Sequence, residues 1–416
     1  MNLVKRLHRF HQGRGEPGLR KKYAAMRESA PRFLRATNFL FFEGLPPASD
    51  LHRTPLTWIC GDLHVENFGT YKGDNRLAYF DINDFDDALL APASWDLVRF
   101  LASLEIAAMT LKLGPRPVKT LCKTYLSAYR DALRDGKPRW LERDLAQGAI
   151  KDLFDKVRQR TRVELLKERT RLKKNKRALI IDDKRTTAIG TEAREKILDF
   201  MQKFAQQQSQ AQFFKVLSIA GRLSGTASLG LERYIVLVEG RGSPDGNFLL
   251  DIKEAQESSL AHLAPDTKAS WKTPAERVVS VQQWAQAISP AFLHAVRIAR
   301  KSYVLKDLQA SADRLDLADL QNKPDQLDSV VHNMGELTAW AHLRGAGHRG
   351  AALPDEWIEI AHRQGWRKAV LQAARERSEI MQAYYKLYCE AYNDGEFGSV
   401  PPKAKGRRRS SMRKTA

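Results

Sequence analysis

The stretch from Gly61 to Asp96 constrains this chain more than any other, because it sets several carboxylates and one amide at fixed intervals around short apolar runs. Thr57 to Cys60 reads as a short strand and Gly61 to Gly69 as a loop. A turn through Lys72, Gly73, Asp74 and Asn75 leads into Leu77–Ile82, a second strand, so residues 68–82 predict a hairpin. Asp62 stands five residues ahead of Asn67 at one end of that hairpin, and Asp84-Phe85-Asp86 stands at the other. An Asp on such a loop can accept or orient the proton of an attacking hydroxyl. Asn67 returns on the same loop with a carboxamide oxygen, a hard and uncharged ligand for a divalent ion, and Asp84 supplies a charged one. Asp81, Asp86 and Asp87 crowd the same region. So many carboxylates in an apolar frame are expensive unless cations or hydrogen bonds compensate them. Asp96 opens a helix whose apolar residues (Leu97, Phe100, Leu101, Leu104) repeat at helical spacing and stop at Gly114-Pro115. It reads as an N-cap that can also hold the backbone N–H groups of the Asp62 loop.

A second group lies far downstream. Gly221 to Gly230 separates the β-like runs Phe214–Leu217 and Tyr234–Val238. Small residues let backbone N–H groups approach an anion, which makes Gly225, Ser228 and Gly230 candidates for phosphate contact. Lys253 closes the apolar run Phe248–Ile252, where a strand-borne ammonium can pair with phosphates. Read blandly, these are a hairpin turn and an edge-strand lysine. Glu276, opening a helix from Ala275 to Ile288, is the carboxylate expected to hold Lys253, with Glu254 and Glu257 as rivals.

The formal net charge is +20. Part of it lies in the tail, at Lys403, Lys405, Arg407, Arg408, Arg409, Arg413 and Lys414, and another dense run spans Arg169–Arg177. Such a balance favours acidic partners, among them nucleotides, nucleic acid or anionic lipid heads, although a solvated basic surface serves solubility equally well. The hydrophobic fraction of 43% suits a globular core. No window approaches a membrane span, and Met1–Arg20 has no apolar h-region, so neither a transmembrane segment nor a secretory signal is expected. Three cysteines (Cys60, Cys122, Cys389) suit reduced thiols in a cytoplasmic protein. The pattern divides into an N-terminal helical segment (1–60), a segment with loop, hairpin and charged helices (61–212), a β-rich segment (213–315), returning helices (316–394) and a disordered basic tail (395–416). Residues 117–205 read as mostly helical, and helical blocks are expected at 325–344 and 354–392.

Residues 61–97 resemble aminoglycoside and choline phosphotransferases of the protein-kinase-like superfamily. Gly61-Asp62-Leu63-His64-Val65-Glu66-Asn67, Asp84-Phe85-Asp86-Asp87-Ala88 and Asp96-Leu97-Val98 stand where those enzymes carry their loop, metal-ligand and helix motifs, with Cys60 in place of the first His. From about residue 20 to 395 the chain more closely resembles the domain of unknown function 2252 family of bacterial proteins. That resemblance rests on Phe33-Leu34-Arg35, Gly61-Asp62 to Phe68-Gly69, Asn83-Asp84-Phe85-Asp86, Trp95-Asp96-Leu97-Val98-Arg99 and Lys253-Glu254-Ala255. The family's Gly-x-Gly-Ser-x-Gly appears as Gly225-x-Ala227-Ser228-x-Gly230.

These resemblances imply an α+β, bilobal protein-kinase-like fold with a helical C-lobe and a small antiparallel-sheet nucleotide lobe. The glycine loop and lysine follow the Asp62 loop instead of preceding it, so the fold is expected to be circularly permuted. Tyr303–Leu305 would be the hinge strand, and the helix ending Trp340-Ala341-His342 would be the one that precedes the catalytic loop. The implied activity is ATP- and Mg²⁺-dependent phosphotransfer to a hydroxyl on a small molecule, lipid head group or protein. Asp62 would be catalytic, Asn67 and Asp84 metal-binding, Gly225, Ser228, Gly230, Lys253 and Glu276 nucleotide-binding, and His64 and Asp96 supporting. Two other readings stay open. Gly-Asp-x-His also opens metal-dependent phosphoesterase sites, though no Gly-Asn-His-Asp follows. The charge suits a non-catalytic nucleotide- or nucleic-acid-binding protein, though no recognised nucleic-acid-binding motif is present.

Overall fold

A computed structural model describes residues 2–45, 50–223, 225–263, 271–309, 315 and 317–398. It is α+β, with thirteen helices and small antiparallel sheets among those residues.

The chain begins with α1 (Leu3–Phe10), α2 (Glu16–Glu28), α3 (Ala30–Ala36) and α4 (Asn38–Phe42). Short strands follow: β1 (Leu56–Ile59), β2 (Phe68–Lys72), β3 (Ala78–Ile82) and β4 (Leu89–Pro92). β2 and β3 form the expected hairpin, and β1 pairs with β4 from beyond it. Residues Gly61–Asn67 and Asn83–Ala88 are thereby brought side by side. α5 (Ser94–Thr110) comes next and is buried along most of its length, because its apolar residues run all round it. α6 (Pro115–Asp135) starts on a proline and stops at Gly136, whose φ of +64° is left-handed.

α7 (Gly148–Gln159) and α8 (Arg162–Arg169) continue the helical pattern, but the next residues do not. The basic run that reads as helix forms a hairpin of β5 (Thr170–Lys173) and β6 (Lys176–Leu179). Lys174 and Asn175 both adopt positive φ, the geometry of a two-residue hairpin turn. After β7 (Thr186–Thr187) and α9 (Thr191–Gln206) come β8 (Val216–Arg222), β9 (Arg233–Val238), β10 (Phe248–Ala255), α10 (Pro274–Ala285), β11 (His294–Ile298) and β12 (Lys301–Asp307). Six strands make one antiparallel sheet in the order β11-β12-β10-β9-β8-β7. Both β7 and α9 belong with this sheet rather than with the segment ending at 212. Ile197, Met201 and Phe204 of α9 share one apolar cluster with Val236, Leu250 and Leu305.

α11 (Pro324–Arg344), α12 (Pro354–His362) and α13 (Trp366–Asn393) complete the helical core. The last two read as one block, but Gly365, at φ +91°, separates them. α11 lies tightly against α6: a Cβ on Gly335 would sit 2.4 Å from the Tyr125 carbonyl oxygen. Residues 399–416, most of the expected basic tail, lie outside the described residues. Among the described residues no helix is long and apolar enough to cross a membrane.

Candidate active site

The Asp62 loop is built on a sharp bend. Gly61 has φ +82°, and a Cβ there would lie 2.2 Å from the Asp87 carbonyl oxygen, so only glycine fits. Asp96, fully buried near the start of α5, accepts hydrogen bonds from Cys60 N at 2.8 Å and Gly61 N at 3.0 Å. His342 Nε2 of α11 lies 3.4 Å from the same carboxylate, and its Nδ1 is 2.9 Å from the Tyr129 hydroxyl. Cys60 links the loop to its neighbours. Its thiol donates to Asp84 O at 3.0 Å and accepts from Asn67 Nδ2 at 3.2 Å. His64 Nδ1 accepts from Glu66 N at 3.1 Å and so caps the turn that carries Asn67.

Asp62 pairs with Arg99 of α5. The guanidinium donates twice to Oδ1, at 3.0 and 2.7 Å, and is itself completely buried. Burial pushes the Asp62 carboxyl up to about 6, against the pull of Arg99 and with the help of Asp87.

The crowded carboxylates separate into two kinds. Asp81 is structural: its oxygens accept from Ile82 N, Ala287 N and Arg344. Asp87 accepts from Asn38 and from Ser259 N. Asp84 and Asp86 instead face Lys253, whose Nζ lies 3.5 Å from Asp84 Oδ1 and forms an ion pair with Asp86. Burial raises the Asp86 carboxyl, and the neighbouring Asp84 adds to that rise while Lys253 opposes it.

Period-2 geometry explains why Lys253 points there. Leu250 and Ile252 of β10 join the cluster under α9, so Asp251 and Lys253 share the opposite face. On that face Asp251 binds Arg222 at 2.5 Å and Arg233 at 2.6 Å. Burial pushes the Asp251 carboxyl up, but the two guanidiniums outweigh it and hold it below the ordinary range. Lys306, opposite Asp251 in the register, is brought down to about 8 by burial, with Asp251 opposing and Lys253 adding to the fall. These side chains enclose a cavity of about 140 Å³, also lined by Gly225 and Ser228. Arg222, Arg233, Asp251 and Lys306 were not singled out in the sequence. Their strand alternation with the buried apolar residues is the signal that could have found them.

The glycine loop has left-handed Gly225 (φ +75°) and Gly230 (φ +90°), with Ser228 Oγ 3.3 Å from Gly225 O. It is grasped from outside by the N-terminal segment. Arg14 donates to Ala227 O at 2.7 Å and Leu229 O at 3.0 Å, and buried Lys22 donates to Ala227 O at 2.8 Å. Gly15 N bonds to Gly230 O, and a Cβ on Gly18 would lie 2.5 Å from Gly230 N. Nothing in the sequence near residue 15 signals this partnership.

Glu276 does not pair with Lys253. It sits at the start of α10, where its backbone N–H bonds to Thr273 Oγ1 and its carboxylate accepts from Lys272 N, an N-terminal capping arrangement. Glu254 lies on the other face of β10 and binds Lys301 and Glu232 N. Lys253 pairs not with Glu257 but with two carboxylates of the Asp84 segment.

The residues present fit a divalent ion held together with phosphate. Among the described residues no group of three or more His, Cys, Asp or Glu is arranged to hold a metal by itself. Mg²⁺ ordinarily needs less from the protein, one or two ligands beside substrate phosphates and water. Asn67 donates through Nδ2 to Asp62 O and Asp84 O, while its buried Oδ1 has no hydrogen-bond partner. An orphaned buried acceptor beside a half-exposed Asp84 is what such an ion would use.

Residues 14–391 match the family described as uncharacterized protein conserved in bacteria (DUF2252), and the chain belongs to it. No curated protein and no solved structure matches the chain.

Proposed function

We propose that this chain is an ATP- and Mg²⁺-dependent phosphotransferase with a circularly permuted protein-kinase-like fold. The observation that carries the reading is the meeting of Lys253 with Asp84 and Asp86, from segments well over a hundred residues apart, at a cation-lined cavity. The succession β8, glycine loop, β9, β10 with its lysine, α10, β11, β12 supports it, because kinases build their nucleotide lobe in that order. Support for the permutation comes from α11, late in the chain, whose His342 backs Asp96 behind the early loop.

On this reading Asn67 and Asp84 hold Mg²⁺, which neutralises phosphate charge. The Lys253 ammonium turns from the carboxylates to the phosphates. Asp62 orients the acceptor hydroxyl through Oδ2, since Arg99 occupies Oδ1. The acceptor oxygen forms a bond to the γ-phosphorus, the bond to the ADP oxygen breaks, and the hydroxyl proton passes to Asp62. Asp96 and Arg99 keep that carboxylate still, which is where positioning enters the rate.

Incubation with Mg²⁺ and γ-labelled ATP in a metabolite extract, read by mass spectrometry, tests the activity. The wild type should yield a labelled product, and Asp62→Asn and Asp84→Asn should yield none. Calorimetry that finds no nucleotide binding, with or without Mg²⁺, would overturn the reading.

A further inference from the structure

A separate cavity of about 430 Å³ opens where the β2–β3 hairpin, the α7–α8 junction and the end of β12 meet. It is roughly three times the Lys253 cavity and shares only Gln309 with it. Its volume falls within the range of about 300–1,000 Å³ of small-molecule sites.

The charge lining it is one-sided. Lys72, Arg76, Arg160, Arg162 and Arg241 meet a single lining carboxylate, Asp307, which lies 3.8 Å from Arg76. The Arg162 guanidinium carbon lies over Phe248, 3.9 Å from the ring centroid, and that of Arg76 lies 5.6 Å from the same centroid. Burial, then the like charges of Arg241 and Arg76, hold the Arg162 guanidinium below its ordinary range. Guanidiniums gathered in this way repel one another, and an anion among them removes the repulsion.

Two further atoms indicate more than a bare anion. Asn247 is fully buried; its Nδ2 donates to Glu239 O and Ser243 Oγ, while its Oδ1 has no partner. Gln309 Nε2 is buried and unpartnered as well. A ligand able both to donate and to accept a hydrogen bond would satisfy them. Tyr71, Leu165 and Leu249 supply apolar wall for its carbon body.

We propose that this cavity binds a phosphorylated, hydroxyl-bearing small molecule, with the phosphate among Arg76, Arg162 and Arg241 and a hydroxyl at Asn247. The site stands apart from the Lys253 cavity and does not depend on the phosphotransferase reading.

Calorimetry with glucose 6-phosphate, inorganic phosphate and glucose tests it. Glucose 6-phosphate should bind at one site in the wild type and equally well in Lys253→Ala. Arg241→Glu, on an exposed side chain, should weaken binding about tenfold or more, as loss of one charge-assisted hydrogen bond does. Glucose 6-phosphate should bind more tightly than phosphate or glucose alone. Equal affinity for phosphate and glucose 6-phosphate overturns the organic ligand, and loss of binding in Lys253→Ala with none in Arg241→Glu overturns the site. Mass-spectrometric mapping of phenylglyoxal modification on the unaltered chain gives an independent measure. Glucose 6-phosphate should protect Arg162 and Arg241, and absence of protection overturns the proposal.

Discussion

The Gly61–Asn67 loop, bonded to the Asp84 segment, and the glycine loop, which lines the Lys253 cavity, are held in opposite ways. The Gly61–Asn67 loop is fastened from within: Asp96, Arg99 and Ser103 of one buried helix reach Cys60, Gly61, Asp62 and Val65. The glycine loop is fastened from without, by Arg14, Gly15 and Lys22, about two hundred residues away. The first loop cannot move unless the core opens. The second can be released by loss of an N-terminal clasp while the sheet beneath it stays whole. On the proposed phosphotransferase reading the difference has a use, since a base must keep its position to work, whereas a loop covering phosphates must open to admit them.

The largest effect should come from cutting the inner fastening. Asp96→Ala orphans two buried N–H groups and takes the carboxylate away from His342. Unsatisfied buried donors cost about 1–3 kcal/mol each, so a loss of roughly 3 kcal/mol or more in urea denaturation is expected. Asp96→Asn, which keeps one acceptor, should recover part of it. If Asp96→Ala were as stable as the wild type, the inner fastening would be an illusion of geometry.

The same burial predicts that Asp62 couples stability to pH. Its carboxyl is raised from 3.8 to about 6, so the folded state holds that proton to higher pH than the unfolded chain does. The stability it contributes is full below 3.8 and is lost as pH rises through about 6, an effect on the order of 3 kcal/mol. Asp86 and Asp307 are raised too, so the wild-type slope is shared. Asp62→Asn should flatten it in denaturation curves between pH 4 and 7. Phosphotransfer, if it needs the ionised carboxylate, should fall below pH 6.

The contrast between the loops also explains what could be read in the sequence. Asp62, Asn67, Asp84 and Asp96 lie within one short stretch, and local spacing reveals such a group because a loop, a hairpin and a helix start carry them in order. The hairpin at 68–82 and the helices at 94–110 and 324–344 announce themselves by period. Arg14 and Lys22 carry no such signal, because their partners are set by tertiary packing alone. The Glu276 pairing failed for a related reason. A Glu at a helix start has two uses, and Thr273 three residues earlier favoured the capping one. The β5–β6 hairpin was hidden because Lys and Arg favour helix until Asn175 imposes its turn.

Lys253→Ala tests where the two halves join. It frees Asp84 and Asp86 from their cation. Nucleotide affinity should fall by about 1.5–3 kcal/mol, the worth of one charge-assisted bond. Mg²⁺ should then bind without nucleotide, because the ammonium that pairs with both carboxylates is gone. In the wild type, Mg²⁺ should bind only with nucleotide. Calorimetric titration of both proteins with Mg²⁺ alone decides it, and equal weak binding in both would count against competition between lysine and metal.

The smallest global effect should separate the two fastenings most sharply. Lys22 is buried, its ammonium is driven well below the ordinary range by burial, and its hydrogen bond goes to Ala227 O. Lys22→Met keeps the stem's bulk and removes a charge that is expensive to bury. Loss of the hydrogen bond and relief of desolvation then oppose each other, so denaturation should change by less than about 1 kcal/mol. Locally the outcome differs, because Ala227 keeps only the Arg14 contact. Amide exchange over residues 225–231 should quicken by about tenfold, the ratio that 1.4 kcal/mol of local opening gives. The loop at 61–67 should be unmoved, since its bonds run to α5. Exchange that quickens in both loops together would mean that they open as one unit, and that the outer clasp and the inner fastening are a single structure.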